Sequence, residues 1–362
     1  MTRFRETWVE IDLAAIRHNV AVLKPGTAEL MAVVKANAYG HGDAAVSTAA
    51  LEAGATWLGV ALVEEGVALR AAGVEAPILV LSECPPGSEA VAIAHRLTPT
   101  IASDAGLGRL TGLARGAIAV HVKVDTGMHR IGIWPPASAA GFVERVVAAG
   151  LEVEGLWTHF ARSDDDEATT IGQFERFRDV VDEVRRVGVE PPLLHAANSG
   201  AVLRHPETHL DLVRPGIAIY GIAPAPGVGA DRDLRPALTW RSTVTAVRRL
   251  PAGERISYGH RYALERDAWI ATVPVGYADG FPRAGSSRAD VCVGGWRGLV
   301  AGSVTMDQLM VDCGEIEPAI GDDVIVMGAG GADAWELAEH AGTIAYEIVT
   351  RIGPRVPREV IG

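Results

Sequence analysis

Lysine is scarce in this sequence. Only Lys24, Lys35 and Lys123 are lysines, and the other 30 of the 33 basic residues are arginines. Because exposed positive charge is therefore almost always arginine, a lysine in an apolar segment indicates chemistry that needs an amine. An amine can lose its proton and form a Schiff base, whereas a guanidinium stays charged at biological pH. Basic residues are also outnumbered by 45 acidic ones, and the net charge of −12 gives no electrostatic support for a nucleic-acid partner.

Cysteine and long hydrophobic runs are equally limited. The three cysteines, Cys84, Cys292 and Cys313, are scattered and lie outside any metal-ligand spacing. No apolar run is long enough to span a bilayer, and the amino end lacks the apolar block of a signal peptide. We therefore expect a cytoplasmic protein of a reducing compartment, with no membrane association and no metal site.

Short β-rich runs alternate with amphipathic stretches through the first two-thirds of the chain. Helices are predicted over Leu13–Leu23 and over Ile171–Val187, where apolar residues recur at helical spacing. Eight strands are predicted at Leu30–Ala36, Trp57–Leu62, Ile78–Ser82, Thr98–Ala102, Ile118–Val124, Val153–Phe160, Leu193–Ala197 and Leu210–Ile217. This alternation predicts an α/β fold, a (β/α)8 TIM barrel.

The pattern changes around Pro224–Pro236, a segment too rich in Pro and Gly for the interior of an element. After it, strands follow one another and only one helix is predicted, over Ala334–Ala341, with Asp333 as its cap. The predicted strands are Leu238–Val247, Arg255–Tyr258, Trp269–Val275, Val291–Val293, Gln308–Val311 and Val324–Val326. We expect residues 9–233 to form the barrel and residues 1–8 with 234–362 to form a mostly β domain.

Polar residues follow the predicted barrel strands at their carboxyl ends, where barrel enzymes carry their chemistry. The first strand ends at Lys35, the fifth leads to Arg130, and the sixth ends at His159. The seventh leads to Ser199 and the eighth to Arg214. An apolar strand that delivers a lysine to this rim favours a Schiff-base lysine, because a low-dielectric environment lowers the pKa of the amine.

A phosphate site is predicted beside this lysine. Ser199 and the amides of Gly216 and Ile217 resemble the phosphate cradle that barrels build after strands seven and eight. A phosphate together with a Schiff-base lysine indicates pyridoxal 5′-phosphate as the cofactor.

Each of these residues also has a structural interpretation. His159 is compatible with a core histidine, and Arg130 with one of many solvated arginines. Lys123 shares a strand face with His121 and Asp125, so a half-buried ion pair with Asp125 is the alternative to a functional role. Their convergence on one rim favours the functional interpretation.

Eight short motifs follow one another along nearly the whole chain. They are Val34–Gly42, Asp125–Met128, Arg130–Gly132, Thr158–Ala161, Arg214–Ile217, Ile256–Gly259, Gly276–Gly280 and Met306–Gln308. In type and order they resemble the motifs of the alanine racemase family. The chain departs from the family pattern at His129, where Gly is common, and at Thr305, where Cys is common, which leaves the preferred substrate size and the state of Lys123 open.

The resemblance implies a homodimer in which the β domain of each subunit completes the active site of the other. Lys35 would hold pyridoxal phosphate as a Schiff base and act as one base. Tyr258 of the partner subunit would be the second base, on the opposite face of the cofactor. Arg214 would face the pyridine nitrogen, and His159 would link Arg214 to Tyr258.

The resemblance also implies the remaining contacts. Arg130 and the backbone of Met306 would orient the substrate carboxylate, and Lys123 would be a carbamylated partner of Arg130. The phosphate would be held by Tyr39, Ser199, Gly216, Ile217 and Tyr346. The expected activity is interconversion of L- and D-alanine, which supplies D-alanine for peptidoglycan.

Three alternatives remain. A racemase of another small amino acid such as serine, or of a basic amino acid, would use the same residues. A barrel-type decarboxylase would be expected to pair the ring nitrogen with a carboxylate, which Arg214 argues against. A non-catalytic carrier of pyridoxal phosphate would need only the barrel, so the second domain and Tyr258 would be superfluous.

Overall fold

The computed structural model describes residues 4–113 and 118–362. The chain divides into two compact units. The first, the β unit, comprises the described part of residues 1–15, residues 39–42 and residues 236–362, and it begins with strand β1 (Thr7–Asp12). The second, the barrel unit, comprises residues 16–38 and the described part of residues 43–235.

The barrel unit contains an eight-stranded parallel sheet. Its strands are β2 (Glu29–Val33), β3 (Trp57–Val60), β4 (Ile78–Glu83), β5 (Thr98–Ile101), β6 (Ala119–Lys123), β7 (Glu152–Trp157), β8 (Leu193–His195) and β9 (Leu212–Val213). They are ordered β8-β7-β6-β5-β4-β3-β2-β9, and Asp211 N donates to Leu194 O (3.1 Å) where the ends meet. The predicted TIM-like barrel is thus confirmed as a nearly closed eight-stranded barrel.

Helices follow most of the barrel strands. The helices that precede or follow them are Leu13–Leu23, Asp43–Glu52, Val63–Ala71, Glu89–Ala94, Asp104–Thr111, Ala139–Ala148, Glu167–Arg186 and Ser199–Arg204. The first has the predicted bounds. The helix predicted from Ile171 begins four residues earlier, because the Asp166 side chain accepts a hydrogen bond from Thr169 N (2.9 Å) and caps it there. Parallel strands covered by helices are buried on both faces, as in Trp57–Val60, where every residue is buried.

The β unit is built on a nine-stranded sheet ordered β11-β14-β17-β16-β15-β18-β10-β1-β19. The remaining strands are β10 (Leu238–Thr243), β11 (Ala246–Leu250), β12 (Arg255–Ile256), β13 (Tyr262–Ala263), β14 (Ala268–Val273), β15 (Asp290–Val293), β16 (Trp296–Val300), β17 (Leu309–Gly314), β18 (Asp323–Met327) and β19 (Arg358–Ile361). Strands β12 and β13 form a separate pair. The single strand predicted at Leu238–Val247 is in fact two, and β1, β13, β16 and β19 were not predicted.

Two helices complete the β unit, Ala334–Ala341 and Ala345–Thr350. The first has the predicted bounds and the predicted cap, since Asp333 accepts hydrogen bonds from Trp335 N (2.7 Å) and Glu336 N (2.8 Å). The second was not predicted.

The amino-terminal strand lies in the β unit over its whole length. Residues 9–12, expected with the barrel, are the last four of the six residues of β1, which pairs antiparallel with β10 and parallel with β19. Val9 and Ile11 are fully buried there, because alternate residues of β1 face the core of the sheet.

None of the helices in residues 4–113 and 118–362 is both long and apolar enough to cross a membrane. Over the same ranges, no three or more His, Cys, Asp or Glu side chains form a group suited to a metal ion.

Candidate active site

Lys35 lies at the carboxyl end of β2, where the backbone leaves the strand in an unusual way. Ala36, Asn37, Ala38 and Tyr39 have φ values of 54°, 54°, 51° and 52°, a left-handed turn of four non-glycine residues. Each such residue costs about 1–2 kcal/mol relative to a right-handed turn. Sequence reasoning extended the strand to Ala36, but this turn ends it at Val33. Strain of this kind persists where the surrounding structure enforces it, most often at functional sites.

The Lys35 amine is half-buried and lies in positive surroundings. Burial lowers the pKa of Lys35, and the positive charge of Arg130 lowers it further, while Glu65 opposes both. Glu65 is itself engaged by the backbone, since its carboxylate accepts from Ala36 N (2.7 Å) and Ala61 N (2.8 Å). A larger fraction of the Lys35 amine is therefore neutral and nucleophilic than in an exposed lysine.

Lys123 lies inside the barrel at the end of β6 and is almost fully buried. Its Nζ lies 4.1 Å from the centroid of the Trp157 ring. Burial, followed by the charges of Arg130 and Arg214, lowers the pKa of Lys123 to about 7. Asp125 acts in the opposite direction. The Oδ1 atom of Asp125 is occupied by backbone donors, Gly127 N (2.9 Å), Met128 N (3.0 Å) and His129 N (3.1 Å).

Positive charge exceeds negative charge at this rim. Lys35, Lys123, Arg130 and Arg214 all lower the pKa of His159, after burial, which has the largest effect. Their carboxylate neighbours Asp125 and Glu65 are held by the backbone donors described above. Two guanidiniums, together with two lysine amines whose protonated form is destabilised by burial, favour an anionic ligand, because burial of unbalanced like charge is costly.

Arg214 is buried where β9 ends, and its guanidinium is fixed by three hydrogen bonds. Nη2 donates to Thr158 O (2.8 Å) and Ala196 O (3.0 Å), and Nη1 lies 2.9 Å from His195 Nδ1. The Trp157 ring centroid is 4.7 Å from its Cζ. Burial lowers the pKa of Arg214 to about 9, so the group is still protonated at neutral pH.

His195 is a neighbour of Arg214 that sequence reasoning did not assign to the site. Within the described residues, Arg214 hydrogen-bonds to His195 and makes no hydrogen bond to His159, the partner expected from the family resemblance. His195 Nε2 in turn lies 2.8 Å from His121 Nδ1. The available signal was the alternation on β6, which places His121 on the same face as Lys123, together with a second histidine on β8. Alternate strands of such a barrel contribute side chains to one interior layer.

Ser199, Gly216 and Ile217 lie together, all buried. Ser199 Oγ accepts hydrogen bonds from Gly216 N (2.9 Å) and Ala218 N (3.3 Å). Just before it, Asn198 caps the helix Ser199–Arg204 by accepting from Ala201 N (3.1 Å). Backbone amides that converge on one acceptor position, at the starts of short helical turns, suit a phosphate group.

Tyr258 and Met306, both in the β unit, present large exposed side chains, with 77% and 53% of their surface accessible. Tyr258 lines a cleft of about 470 Å³ that also contains Thr305. The backbone before it is strained, since Ser257 has φ 64° and ψ −175°. Hydrogen bonds hold this loop: Ser257 Oγ donates to Ser303 O (2.7 Å), and Ser303 Oγ donates to Tyr258 O (2.9 Å).

The predicted phosphate ligands Tyr39 and Tyr346 are neighbours in the β unit, with ring centroids 6.3 Å apart. Gly40, with φ 84°, follows Tyr39, and a side chain there would collide with the carbonyl of Val349. Residues 39–42 therefore pack closely against the helix Ala345–Thr350, which carries Tyr346.

The two departures from the family pattern have defined surroundings. His129 is a non-glycine residue at φ 52°, and its ring meets Trp134 edge-to-face at 4.7 Å. The Thr305 hydroxyl donates to Gln308 O (2.7 Å) and accepts from Gln308 N (3.1 Å), which closes a turn. A position that glycine would occupy without strain is thus filled by a histidine packed on an aromatic ring.

The chain contains a TIM-like barrel and a β unit. A lysine and several other basic residues lie at the carboxyl ends of the barrel strands, and together these features define a class of barrel enzyme. Comparison with known proteins names the family. Residues 11–224 match the model of the alanine racemase N-terminal domain, and residues 237–360 match that of the C-terminal domain. The chain belongs to the alanine racemase family and is an amino-acid racemase, an isomerase.

Individual relatives agree along the full length. An alanine racemase of Symbiobacterium thermophilum is 48% identical, over 98% of this chain and 97% of that protein. The crystal structure of alanine racemase from D-cycloserine-producing Streptomyces lavendulae superposes with a TM-score of 0.94 at 41% identity, over 100% of this chain and 98% of the other. The alanine racemase from Bacillus anthracis with bound L-Ala-P has a TM-score of 0.93 at 38% identity, over 100% and 96% of the two chains.

Proposed function

We propose that this protein interconverts L- and D-alanine with pyridoxal phosphate as its cofactor, and that it supplies D-alanine for peptidoglycan in the cytoplasm. The observation that carries the proposal is the cluster of Lys35, Lys123, Arg130 and Arg214 at one barrel rim. The two guanidiniums of this cluster favour an anionic ligand, and the carboxylate of an amino acid supplies that charge beside the Lys35 amine that attaches the cofactor. The L-Ala-P bound to the Bacillus anthracis relative supports alanine as the substrate.

The residues of the barrel unit fit pyridoxal phosphate. Lys35 has the lowered pKa that attachment of an aldehyde needs, and the amides of Gly216 and Ile217 with Ser199 suit its phosphate. Arg214 would contact the ring nitrogen of the cofactor. When bound, the cofactor withdraws electrons from the α-carbon of the amino acid, which makes loss of the α-proton possible.

Arg214 influences which reaction follows removal of the α-proton of the substrate. Because its guanidinium remains protonated at neutral pH, it would hold the ring nitrogen of the cofactor by hydrogen bonding and would not hand over a proton. A cofactor held in this way would keep its ring nitrogen uncharged and would withdraw electrons from the α-carbon only weakly. Prompt return of a proton is therefore favoured over slower side reactions such as transamination.

Racemisation needs a proton removed from one face of the α-carbon and one returned on the other. Lys35 serves as the base on one face, and Tyr258 of the partner subunit serves on the opposite face. The free amine of Lys35 follows from its burial and its positive neighbours, and the 77% exposure of Tyr258 suits a residue that completes another subunit's site. Arg130 and the Met306 backbone hold the substrate carboxylate, and Tyr39 and Tyr346 complete the phosphate site. We accordingly propose a homodimer with shared active sites.

A chiral assay of the purified protein tests the proposed function. It is incubated with pyridoxal phosphate and a panel of single-enantiomer amino acids, including alanine, serine and basic amino acids, and the products are separated by chiral chromatography. We expect both alanine enantiomers to reach a near-equal mixture, with smaller rates for the others. Faster conversion of serine or a basic amino acid would show that this amino acid, and not alanine, is the preferred substrate. Formation of an amine with release of CO2 would indicate a decarboxylase instead.

We further propose that Lys123 is carbamylated. Its neutral amine attacks CO2, the new N–C bond forms, and the displaced proton goes to solvent. The resulting carbamate carries one negative charge, which offsets the positive charge of Arg130. The pKa of about 7 for Lys123 is what makes a neutral amine available near neutrality.

Carbamylation of Lys123 predicts a carbamate signal in the ¹³C NMR spectrum of protein equilibrated with ¹³C-bicarbonate. Because the protonated amine cannot react, the signal should fall as pH is lowered through about 7. The Lys123→Ala variant should lose it, and Lys24→Ala, which removes an exposed lysine, should keep it. A spectrum of the unaltered protein without this signal at pH 8 would contradict the modification.

A further inference from the structure

A line of four polar side chains crosses the interior of the barrel, and the mechanism above uses only one of them. Arg214 Nη1 lies 2.9 Å from His195 Nδ1, and His195 Nε2 lies 2.8 Å from His121 Nδ1. His121 Nε2 then lies 3.4 Å from Glu154 Oε2. The two histidines are fully buried, whereas the Glu154 side chain is 28% exposed. We call these four residues the Arg214 relay.

The chemistry of the first group sets the direction of both hydrogen bonds in the relay, Arg214–His195 and His195–His121. A guanidinium can only donate, so His195 Nδ1 must accept and His195 carries its proton on Nε2. That proton is donated to His121 Nδ1, and His121 therefore carries its own proton on Nε2, facing Glu154. Both imidazoles are neutral, because burial and the charge of Arg214 lower their pKa values, although Glu154 opposes this at His121.

The surrounding residues hold both imidazoles in place. The Trp157 ring is nearly parallel to that of His195, at 8° and a centroid distance of 5.4 Å, and Trp57 packs on His121 at 5.3 Å. Gly155, which pairs with His121 across β6 and β7, leaves the space that the ring occupies, since a Cβ there would overlap the imidazole. A built cavity of this kind restrains the rings to one arrangement.

At the Glu154 end of the relay, no other described residue forms a hydrogen bond with the two facing atoms. His121 Nε2 and Glu154 Oε2 are both buried atoms, and neither makes a hydrogen bond to any described residue, so the 3.4 Å contact between them is electrostatic and lacks hydrogen-bond geometry. A buried N–H and a buried carboxylate oxygen that lack hydrogen bonds are costly, and their proximity offsets part of this cost electrostatically. The relay thus has a fixed positive charge at Arg214 and a negative charge at Glu154.

We propose that Glu154, through His121 and His195, positions Arg214 and moderates its positive charge, and is thereby a positioning residue for racemisation. The carboxylate favours the donor direction described above, which keeps Nη1 turned towards His195 and away from other acceptors. The effect on the cofactor ring rests on the proposed function, whereas the proton positions on the two histidines do not.

Nitrogen-15 NMR tests the proton positions independently of activity. The full-length protein, labelled in its 11 histidines, is examined at pH 7 with and without pyridoxal phosphate, and His121 and His195 are assigned by single His→Gln variants. We expect unprotonated Nδ1 and protonated Nε2 at both residues, in both samples. A proton on Nδ1 of either residue in both samples would overturn the relay whatever the enzyme's substrate is.

Kinetics of Glu154→Gln test the role of the charge. The amide keeps the size of the side chain and removes the negative charge. Arg214 Nη1 is then held less firmly towards His195, so we expect kcat to fall about tenfold, with the KM for alanine little changed. The Nε2 resonance of His121 should shift while both histidines keep their tautomers. Glu152→Gln, an exposed site two residues earlier on β7, is the matched control and should leave kcat unchanged. A Glu154→Gln enzyme with the kcat of the unaltered protein would overturn the proposed moderation of Arg214.

Discussion

Replacing Lys35 by alanine is expected to abolish racemisation, with a loss of more than about 10⁴-fold in kcat/KM. The substitution removes both the amine that attaches the cofactor and one of the two proposed bases. The visible absorbance of the attached cofactor should disappear in the same variant. Both are measured on purified protein reconstituted with pyridoxal phosphate, the first by chiral chromatography and the second by absorption spectroscopy.

Two comparisons separate the role of the amine from charge and folding. Lys35→Arg keeps a positive charge at the rim but has no amine that can form a Schiff base, so we expect it to be as inactive as Lys35→Ala. Lys24→Ala removes the exposed lysine and should behave as the unaltered protein. Retention of both visible absorbance and activity by Lys35→Ala would refute the assignment.

Replacing Tyr258 by phenylalanine is expected to lower kcat/KM by about 100- to 10,000-fold, the usual contribution of a general acid or base. Since the two enantiomers are equally stable, kcat/KM must fall equally in both directions. The asymmetry appears instead in exchange with solvent. In ²H₂O, the enantiomer whose α-proton faces Lys35 should exchange that proton faster than it racemises, and the other enantiomer should not.

Mass spectrometry and NMR of recovered alanine measure this exchange. Tyr262→Phe removes a different hydroxyl from the β unit, one bonded to Asp312 at 2.7 Å, and should leave exchange and racemisation rates unchanged. If Tyr258→Phe showed equal exchange for both enantiomers, and if the kinetic isotope effects of α-deuterated alanine were the same as in the unaltered protein, a second base at this position would be ruled out.

The shared-site proposal gives this pair of variants a further use. Inactive Lys35→Ala and Tyr258→Phe protomers, mixed and re-associated, should recover part of the activity, because each heterodimer then contains one site with both bases intact. Verified heterodimers without any recovery would argue that each site is complete within one subunit.

Much of the barrel was predictable because its signals are local. The eight apolar runs, the helix Leu13–Leu23 and the Asp333 cap depend on the periodicity and turn chemistry of neighbouring residues. The strand boundaries were less accurate for a physical reason. Strand β2 ends at Val33 and not at Ala36, since the left-handed turn at Ala36–Tyr39 is imposed by its surroundings and opposes the preferences of its residues.

The β unit was harder to predict because its sheet joins distant segments. Strand β1 lies between β10 and β19, more than 200 residues away in the sequence, and nothing local in Thr7–Asp12 indicates those partners. Strands β16 and β19 are short and polar enough to lack a clear alternation, so their pairing with neighbouring strands decides their structure.

The amino-acid sequence alone determined the fold class, the family and the residue types available at the rim, since these depend on periodicity, motif order and the scarcity of lysine. Only the tertiary structure decided which of those residues act on one another. The pKa values of Lys35 and Lys123 are lowered by burial and by the arginines that folding brings near them, and Arg214 bonds to His195 rather than His159. Electrostatic and hydrogen-bond energies depend on distance and burial, and these are set when strands far apart in the chain close into a barrel.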